Sequence, residues 1–581
     1  MEENRIENLT IRKARTMDQL QTNVERFARR MVEAARGLLE LADRDRYSPT
    51  YGCFYYPFWR NKSSDYPNAC FQEASYSLAL LYRRDYPGND IKGLLALREQ
   101  ARAGMLYWAK IQHPDGSFDE WYGGEHGFAA TAFSSYALAR AGKLLADELE
   151  ASDREALAAA FRRAAGWLSR HEDLGKINHE IVGAAALFSL ADALQDPGIS
   201  VLARKKLARV LALQNEEGWF PELGGLDTGY AFIVLEYLSR CHAFFPDDSL
   251  RRSIERLLAF AVHFVHPDMG TGWEYNSCRN HYVSLLAAAI LSDFSPLARG
   301  LFREGMARDT FYDQITQDDL IRCYHVYSGL RAVDYYRERR DRFREEIAPL
   351  PFQSAPFRKY FPASDMLAVR TGSYYALAAG RYAGLLKVFP YPVGEGAAPF
   401  SCHDHGYTLE PPGGPLIRSC LRSPDNRVSA PPGGNFSVAA RFRPAGYFFP
   451  KRWMRFLLSL VSALPGGHLL IKRGLAFIRS RKKAPLQVAA VSGEASAWRL
   501  EREIEFREDR VEVADRIVPP GGAPAARAGF DIEIRRGVLA AERPLAGQGE
   551  RLGGLLASQE GAVIRKTIAV AGGGIAVRAV W

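Results

Sequence analysis

The chain has 581 residues, 47% hydrophobic and 25% charged, a balance that supports domains with full cores and excludes wholesale disorder. Its net charge of +9 is concentrated notably between Lys451 and Lys483, so the basic balance does not argue for nucleic acid as a partner. Seven cysteines at irregular spacing, with no Cys-x-x-Cys, exclude a disulfide framework or a zinc ribbon.

The N-terminal stretch MEENRIENLTIRKARTMDQL has no apolar signal core, which predicts a cytoplasmic chain. Residues 1–45 read as one long amphipathic helix, with Leu20, Val24, Phe27, Met31 and Ala35 near helical spacing, covering an edge of the domain that follows. From about residue 50 to 340, a polar, aromatic-rich loop followed by an apolar helix recurs six times. The loops lie near Tyr51–Asn68, Gln112–Gly127, His171–Asn178, Gln214–Gly229, His266–Asn280 and Phe311–Asp319. Their spacing of about 45–60 residues is that of a helix, a turn, a returning helix and a loop. Six such hairpins close into an (α/α) toroid spanning residues 1–345, with all six loops on one rim.

Residues 346–365 form a Pro-rich linker without helical periodicity. From 366 to 581, short runs of alternating apolar residues between Gly and Pro predict an antiparallel β-sandwich. The expected fold is therefore multidomain α+β: a toroid of about six helical hairpins, then a sandwich. Within the sandwich, residues 448–484 form a basic, apolar helical insertion in which Pro465-Gly466-Gly467 splits two apolar stretches. One reading makes it an interfacial hairpin whose cations meet anionic headgroups at the inner membrane face. The other packs it on its own domain. No segment offers about 18 uninterrupted apolar residues, so no span is expected.

The second and fourth loops share a Gln-x-x-x-Gly-aromatic pattern, with Gln112 and Phe118 in one and Gln214 and Trp219 in the other. Such loops occur in several α/α toroids, including triterpene cyclases, where the Gln caps helix ends. A structural role is expected here too. The third loop ends in Asn178-His179-Glu180, with Asn178 placed to cap a helix. The fourth continues as Gly224-Gly225-Leu226-Asp227-Thr228-Gly229-Tyr230. Its glycines permit close approach of backbone to ligand, and Asp227 caps a helix that projects Tyr230 toward the cavity. Trp121 and Glu222 on the same rim, Trp273, Arg279 and His281 in the fifth loop, and Arg322, Tyr324 and His325 on the sixth helix complete a mouth suited to an anionic sugar.

Asn178-His179, followed about fifty residues later by Gly-Gly-Leu-Asp-Thr-Gly-Tyr230, resembles the toroid half of the heparinase II/III-like polysaccharide lyases. The stretch Ser401-Cys-His403-Asp-His405 resembles the His-x-His strand that opens their sandwich, although Gly406-Tyr407 stand where that family usually has an acidic or amide residue. The resemblance implies β-elimination on an acidic, uronate-containing polysaccharide; the missing signal core and the basic apolar insertion, not the resemblance, point to cytoplasmic-side polysaccharide assembly or turnover. An amide such as Asn178, with an Arg or His, would neutralise the C6 carboxylate while the C5 proton leaves. Tyr230 is the first choice for base, acid or both. Its ordinary pKa near 10 calls for a neighbouring cation such as Arg279. His403 or His405 is the second group, with His179 and His281 as alternatives. No cofactor is expected; a divalent metal at His403/His405 is the weaker reading. Three alternatives use the same parts: a uronate C5-epimerase, a glycoside hydrolase built on Glu222 with Asp227 or Asp119 with Glu125, and a non-catalytic glycan-binding protein at the membrane.

Overall fold

The computed structural model describes residues 2–173, 175–275, 281–391, 400–411, 413–445, 451–462, 464, 466–471, 495–521, 526–536, 554–556, 562–571 and 574–580. Six inner helices form a closed ring: Ala74–Arg83, Phe128–Leu144, Ile177–Leu194, Thr228–Phe244, Leu285–Leu291 and Asp319–Glu338. Each packs against the next, and the last packs against the first. Their Ala- and Leu-rich sequences are buried on nearly every side, as Ile177–Leu194 shows with fourteen buried residues. Five outer helices back five of them: Leu95–Lys110, Ala151–Arg170, Pro197–Leu211, Asp248–Ala261 and Pro296–Met306.

The sixth outer position is filled from the other end of the chain. Helix Glu2–Gly37 lies along Asp319–Glu338 and buries Leu20, Val24, Phe27 and Met31. It is thus a stave of the ring rather than a cover laid over one edge. The sixth loop also differs from a plain loop, because Thr310–Ile315 forms a short helix.

The Gln-Gly-aromatic loops hold neighbouring hairpins together. The Gln112 side-chain amide donates to the carbonyls of Gly116 (3.1 Å) and Ala160 (3.0 Å), and Gln214 repeats this with Gly218 (2.7 Å) and Ser253 (2.9 Å). Gly116 and Gly218 have φ of +99° and +100°, and a Cβ on either would lie 2.2 or 2.6 Å from a carbonyl oxygen of the next outer helix. Only glycine fits there.

Residues 346–365 are not a plain connector, because the strand Phe357–Phe361 already belongs to the first sheet. That sheet runs in the order Phe357–Phe361, Met366–Arg370, Tyr374–Ala379, Leu385–Pro390, Phe400–Glu410, Ala526–Arg536, Gly554–Leu556. The second runs Gly574–Val580, Ala562–Ala571, Arg510–Val518, Arg499–Phe506, Phe436–Arg441, Arg427–Ser429. Every residue of Met366–Arg370 and Tyr374–Ala379 is buried. The reason is that alternate side chains face the toroid (Met366, Ala368, Leu377) and the second sheet (Leu367, Val369, Ala376). The second sheet has one wet face, and Arg499–Phe506 alternates exposed and buried accordingly.

The first sheet therefore seats directly on the ring. Phe361 packs on Phe260 (5.1 Å) and Phe264 (5.4 Å), and Glu217 of the fourth loop accepts from the Ala363 amide (2.6 Å) and the Ser364 hydroxyl (3.0 Å).

Candidate active site

The sandwich meets the rim at the fourth and fifth loops. In the first sheet, Lys387 and His403 stand directly opposite each other on adjacent antiparallel strands, so both side chains leave the same face. That face points at the fifth loop, where Glu274 receives both. One carboxylate oxygen pairs with the Lys387 ammonium and the other lies 3.2 Å from His403 Nδ1. All three side chains are nearly or fully buried. A carboxylate bonded to Nδ1 fixes the orientation of the ring.

His405 shares that face, its ring 6.0 Å from that of His403. Between them, Asp404 turns the opposite way, into the sandwich. There Lys566 (2.8 Å) and Arg502 (3.2 Å) bond its carboxylate, and Asp515 completes a fully buried cluster. Burial pushes the Asp404 carboxyl up, but Arg502 and Lys566 overcome it and hold the group below its ordinary value. A bulge then resets the strand. The register slips between Asp404 and Tyr407, and Gly406 has φ +79°. The Tyr407 hydroxyl consequently points inward and donates to Asp515 (2.7 Å). This accounts for Gly406-Tyr407: the pair turns the strand and does not extend the His face.

Glu274, His403 and His405 have their nearest ligand atoms within 4.8 Å of one another, the geometry of a three-ligand metal site. The Lys387 ammonium already engages Glu274, and its charge opposes a second cation there.

The third and fourth loops form the other half of the rim. Lys176 and Glu222 are bridge partners, and the Leu223 amide donates to the Gly175 carbonyl (3.1 Å). Helix Ile177–Leu194 starts without a side-chain cap, so Asn178 is a first-turn residue and not the cap expected. Its buried backbone N–H donates to Glu222 Oε2 (3.1 Å). Burial raises the Glu222 carboxyl to about 7, against the lowering effect of Asn178. His179 Nδ1 lies 2.9 Å from Asp173, and burial lowers its pKa. Asp227 caps Thr228–Phe244 as expected, accepting from the Tyr230 amide at 2.9 Å. Tyr230 lies seven residues before Tyr237, on the same helix face. Tyr237 faces Phe133 (5.6 Å) and Tyr136 (5.5 Å) inside the ring, so Tyr230 lies above it on the inner side.

Gly225 of this loop receives a side chain from the sandwich. A Cβ on Gly225 would fall 1.8 Å from the Arg422 guanidinium, which donates to the Leu223 carbonyl (3.3 Å). Arg422 comes from the sandwich and brings a cation to the fourth loop.

The remaining candidates have partners of their own. Tyr324 donates to Glu120 (3.2 Å) and packs on Phe133 (5.2 Å), which also touches His179 (6.2 Å). His325 stacks on Tyr282 at 4.0 Å, and burial lowers its pKa to about 4. Arg322 pairs with Asp319 (3.5 Å) beside Gly37. Trp121 is 68% exposed. The His281 carbonyl accepts from Gln314 (2.9 Å), which anchors the end of the fifth loop. Arg279 and the Trp273 side chain lie outside the described residues. Of the carboxylates weighed for hydrolysis, Asp119 accepts from the Gly124 and His126 amides and Glu125 from those of Glu120 and Trp121, so both shape their loop.

Glu120, Glu274, Lys387 and Arg422 were not among the expected site residues. Glu120 had a signal: it follows Gln112 by eight residues, as Glu222 follows Gln214. Burial raises it, like Glu222, to about 7, with Glu125 adding to the effect.

No protein-family model matches the sequence, and no curated protein matches it. Among solved structures, the chondroitin AC lyase of Streptomyces coelicolor A3, in complex with chondroitin sulphate, superposes on 87% of this chain and 68% of its own. Identity is 13% and the TM-score 0.50. The chain shares the fold of that structure. Heparan sulfate lyase HepC from Pedobacter heparinus covers 90% of this chain and 75% of its own at 10% identity and a TM-score of 0.40. The likeness to the chondroitin lyase, over 87% of this chain, takes in toroid and sandwich together.

Proposed function

We propose that the chain is a lyase that cleaves an acidic, uronate-containing polysaccharide by β-elimination. The observation that carries this reading is the convergence of Glu274, Lys387, His403 and His405 where the sandwich meets the rim. It supplies an imidazole oriented among fixed charges, which favours proton transfer. The enolate-like transition state places negative charge on the C6 carboxylate. The Asn178 amide, a protonated Glu222 and the Arg422 guanidinium are the donors available to it. Tyr230, at the start of the inner helix, abstracts the C5 proton or returns it to the leaving C4 oxygen. His403, held by Glu274, serves as its counterpart. No step requires a cofactor.

The test is turnover of uronate-containing polysaccharides followed by near-ultraviolet absorbance, because elimination leaves an unsaturated uronate. Tyr230→Phe should lower turnover by about 10²–10⁴-fold while oligosaccharide affinity and the unfolding midpoint stay unchanged. Near-normal turnover removes Tyr230 from the mechanism. Exchange of solvent deuterium into C5 without chain cleavage would instead identify an epimerase.

A further inference from the structure

The helix Arg452–Ser462 has no buried residue. It leaves the sandwich after Arg443–Pro444 and reaches the second rim loop. There Ser462 lies against Gly124, and His468 stacks on His126 at 4.0 Å. The half-buried Met454, Leu458 and Val461 share one side of the helix. A second side carries Trp453 (59% exposed), Phe456 (67%), Leu457 and Leu460, spaced i, i+3, i+4 and i+7, with Leu464 continuing the stripe. Arg452, Arg455 and Ser459 form the third side. Leu469 and Leu470 add to the exposed apolar surface just beyond the turn.

A helix that folds onto its own domain turns its apolar stripe inward. This one turns it out. Residues 451–483 carry nine Lys and Arg and no Asp or Glu. Cations with a Trp or Phe ring to stack on would suit an acidic polysaccharide, but Leu457, Leu460 and Leu464, most of the stripe, offer a sugar neither a hydrogen bond nor a flat ring. Among the described residues, no helix is long and apolar enough to cross a membrane. A stripe of large apolar residues with Trp at its start, flanked by arginine, matches a surface whose outer layer is anionic and whose next layer is hydrocarbon.

We propose that Arg452–Ser462, with Leu464, Leu469 and Leu470, is an interfacial anchor, which lays this stripe into an anionic lipid surface and holds the second rim loop against it. The anchor does not depend on the lyase reading.

The experiment is sedimentation of the full chain with phosphatidylglycerol-rich vesicles and with pure phosphatidylcholine vesicles. The expected result is binding to the anionic vesicles that weakens at least tenfold on phosphatidylcholine and falls with added salt. Trp453→Ser with Phe456→Ser, Leu457→Ser and Leu460→Ser should reduce vesicle binding at least tenfold and leave circular dichroism and the unfolding midpoint unchanged, since none of the four is buried. A wild-type chain that stays in the supernatant, or a quadruple variant that binds like wild type, overturns the proposal. A lipid-free dimer that the variant dissolves, without vesicle binding, gives the face to a second copy and overturns it as well.

Discussion

Glu120 and Glu222 occupy the same step of two copies of one loop, and each is buried with a carboxyl raised to about 7. In the unfolded chain both would titrate near 4.5. Between those values the folded state holds more protons than the unfolded state. Their contribution to stability is therefore full below about 4.5, is lost as pH rises to about 7, and is flat above that. Glu222→Gln keeps the neutral shape and removes the titration. Measured by urea unfolding at pH 5 and pH 8, the variant should gain stability relative to wild type at the higher pH. A difference between the two proteins that does not change with pH would show that Glu222 is ionised throughout. At this scale the sequence was legible where chemistry is local. Asp227 before Thr228 announced a cap, and the cap is there. It was silent on Lys387 and Glu274, 113 residues apart, because their meeting depends on strand register and on how one domain seats on the other.

At the level of elements, the strand Phe400–Glu410 works by alternation with one slip. Two imidazoles leave one face while Asp404 between them is pinned from the other by Arg502 and Lys566, all without solvent exposure. Replacing Asp404 with Ala would leave two cations facing each other and Asp515 in a dry interior. The expected cost is about 3–5 kcal/mol in denaturant unfolding. A loss under about 1 kcal/mol would mean that water reaches the cluster. The His-Asp-His stretch was visible in the sequence as chemistry, yet its middle residue carries the architecture. The bulge at Gly406 could not be read beforehand, because a positive φ at a glycine is chosen by what surrounds it, here the Ser419 hydroxyl 2.4 Å from where a Cβ would sit. The repeated Gln loops were legible for the opposite reason: their hydrogen bonds stay within one hairpin and its neighbour.

In the whole molecule, six inner helices close on themselves and a β-sheet, buried on both faces, is clamped to part of the rim. The number of inner helices followed from the period of the loops. The partner of the sixth inner helix did not, since periodicity along a chain says nothing about which end returns to complete a circle. Removing residues 2–37 would strip Leu20, Val24, Phe27 and Met31 from Asp319–Glu338. At roughly 1.5–3 kcal/mol per buried side chain the loss is about 6–12 kcal/mol. That is comparable with the whole stability of a typical domain, about 5–15 kcal/mol. The truncated chain should lack a cooperative thermal transition and be degraded rapidly in limited proteolysis. A cooperative melt near that of the intact chain would show that five hairpins and an unbacked helix suffice.

The joining of the first helix to the last inner one also sets an order of events on the ribosome. Helix Glu2–Gly37 emerges well ahead of Asp319–Glu338, and the surface that buries it is complete only near residue 338. At about 5–20 residues per second, its apolar side waits tens of seconds for a partner. During that interval the nascent chain displays an amphipathic segment to any chaperone at the exit tunnel. Ring closure is then a strongly non-local step of folding, one that a truncated or stalled translation would strand.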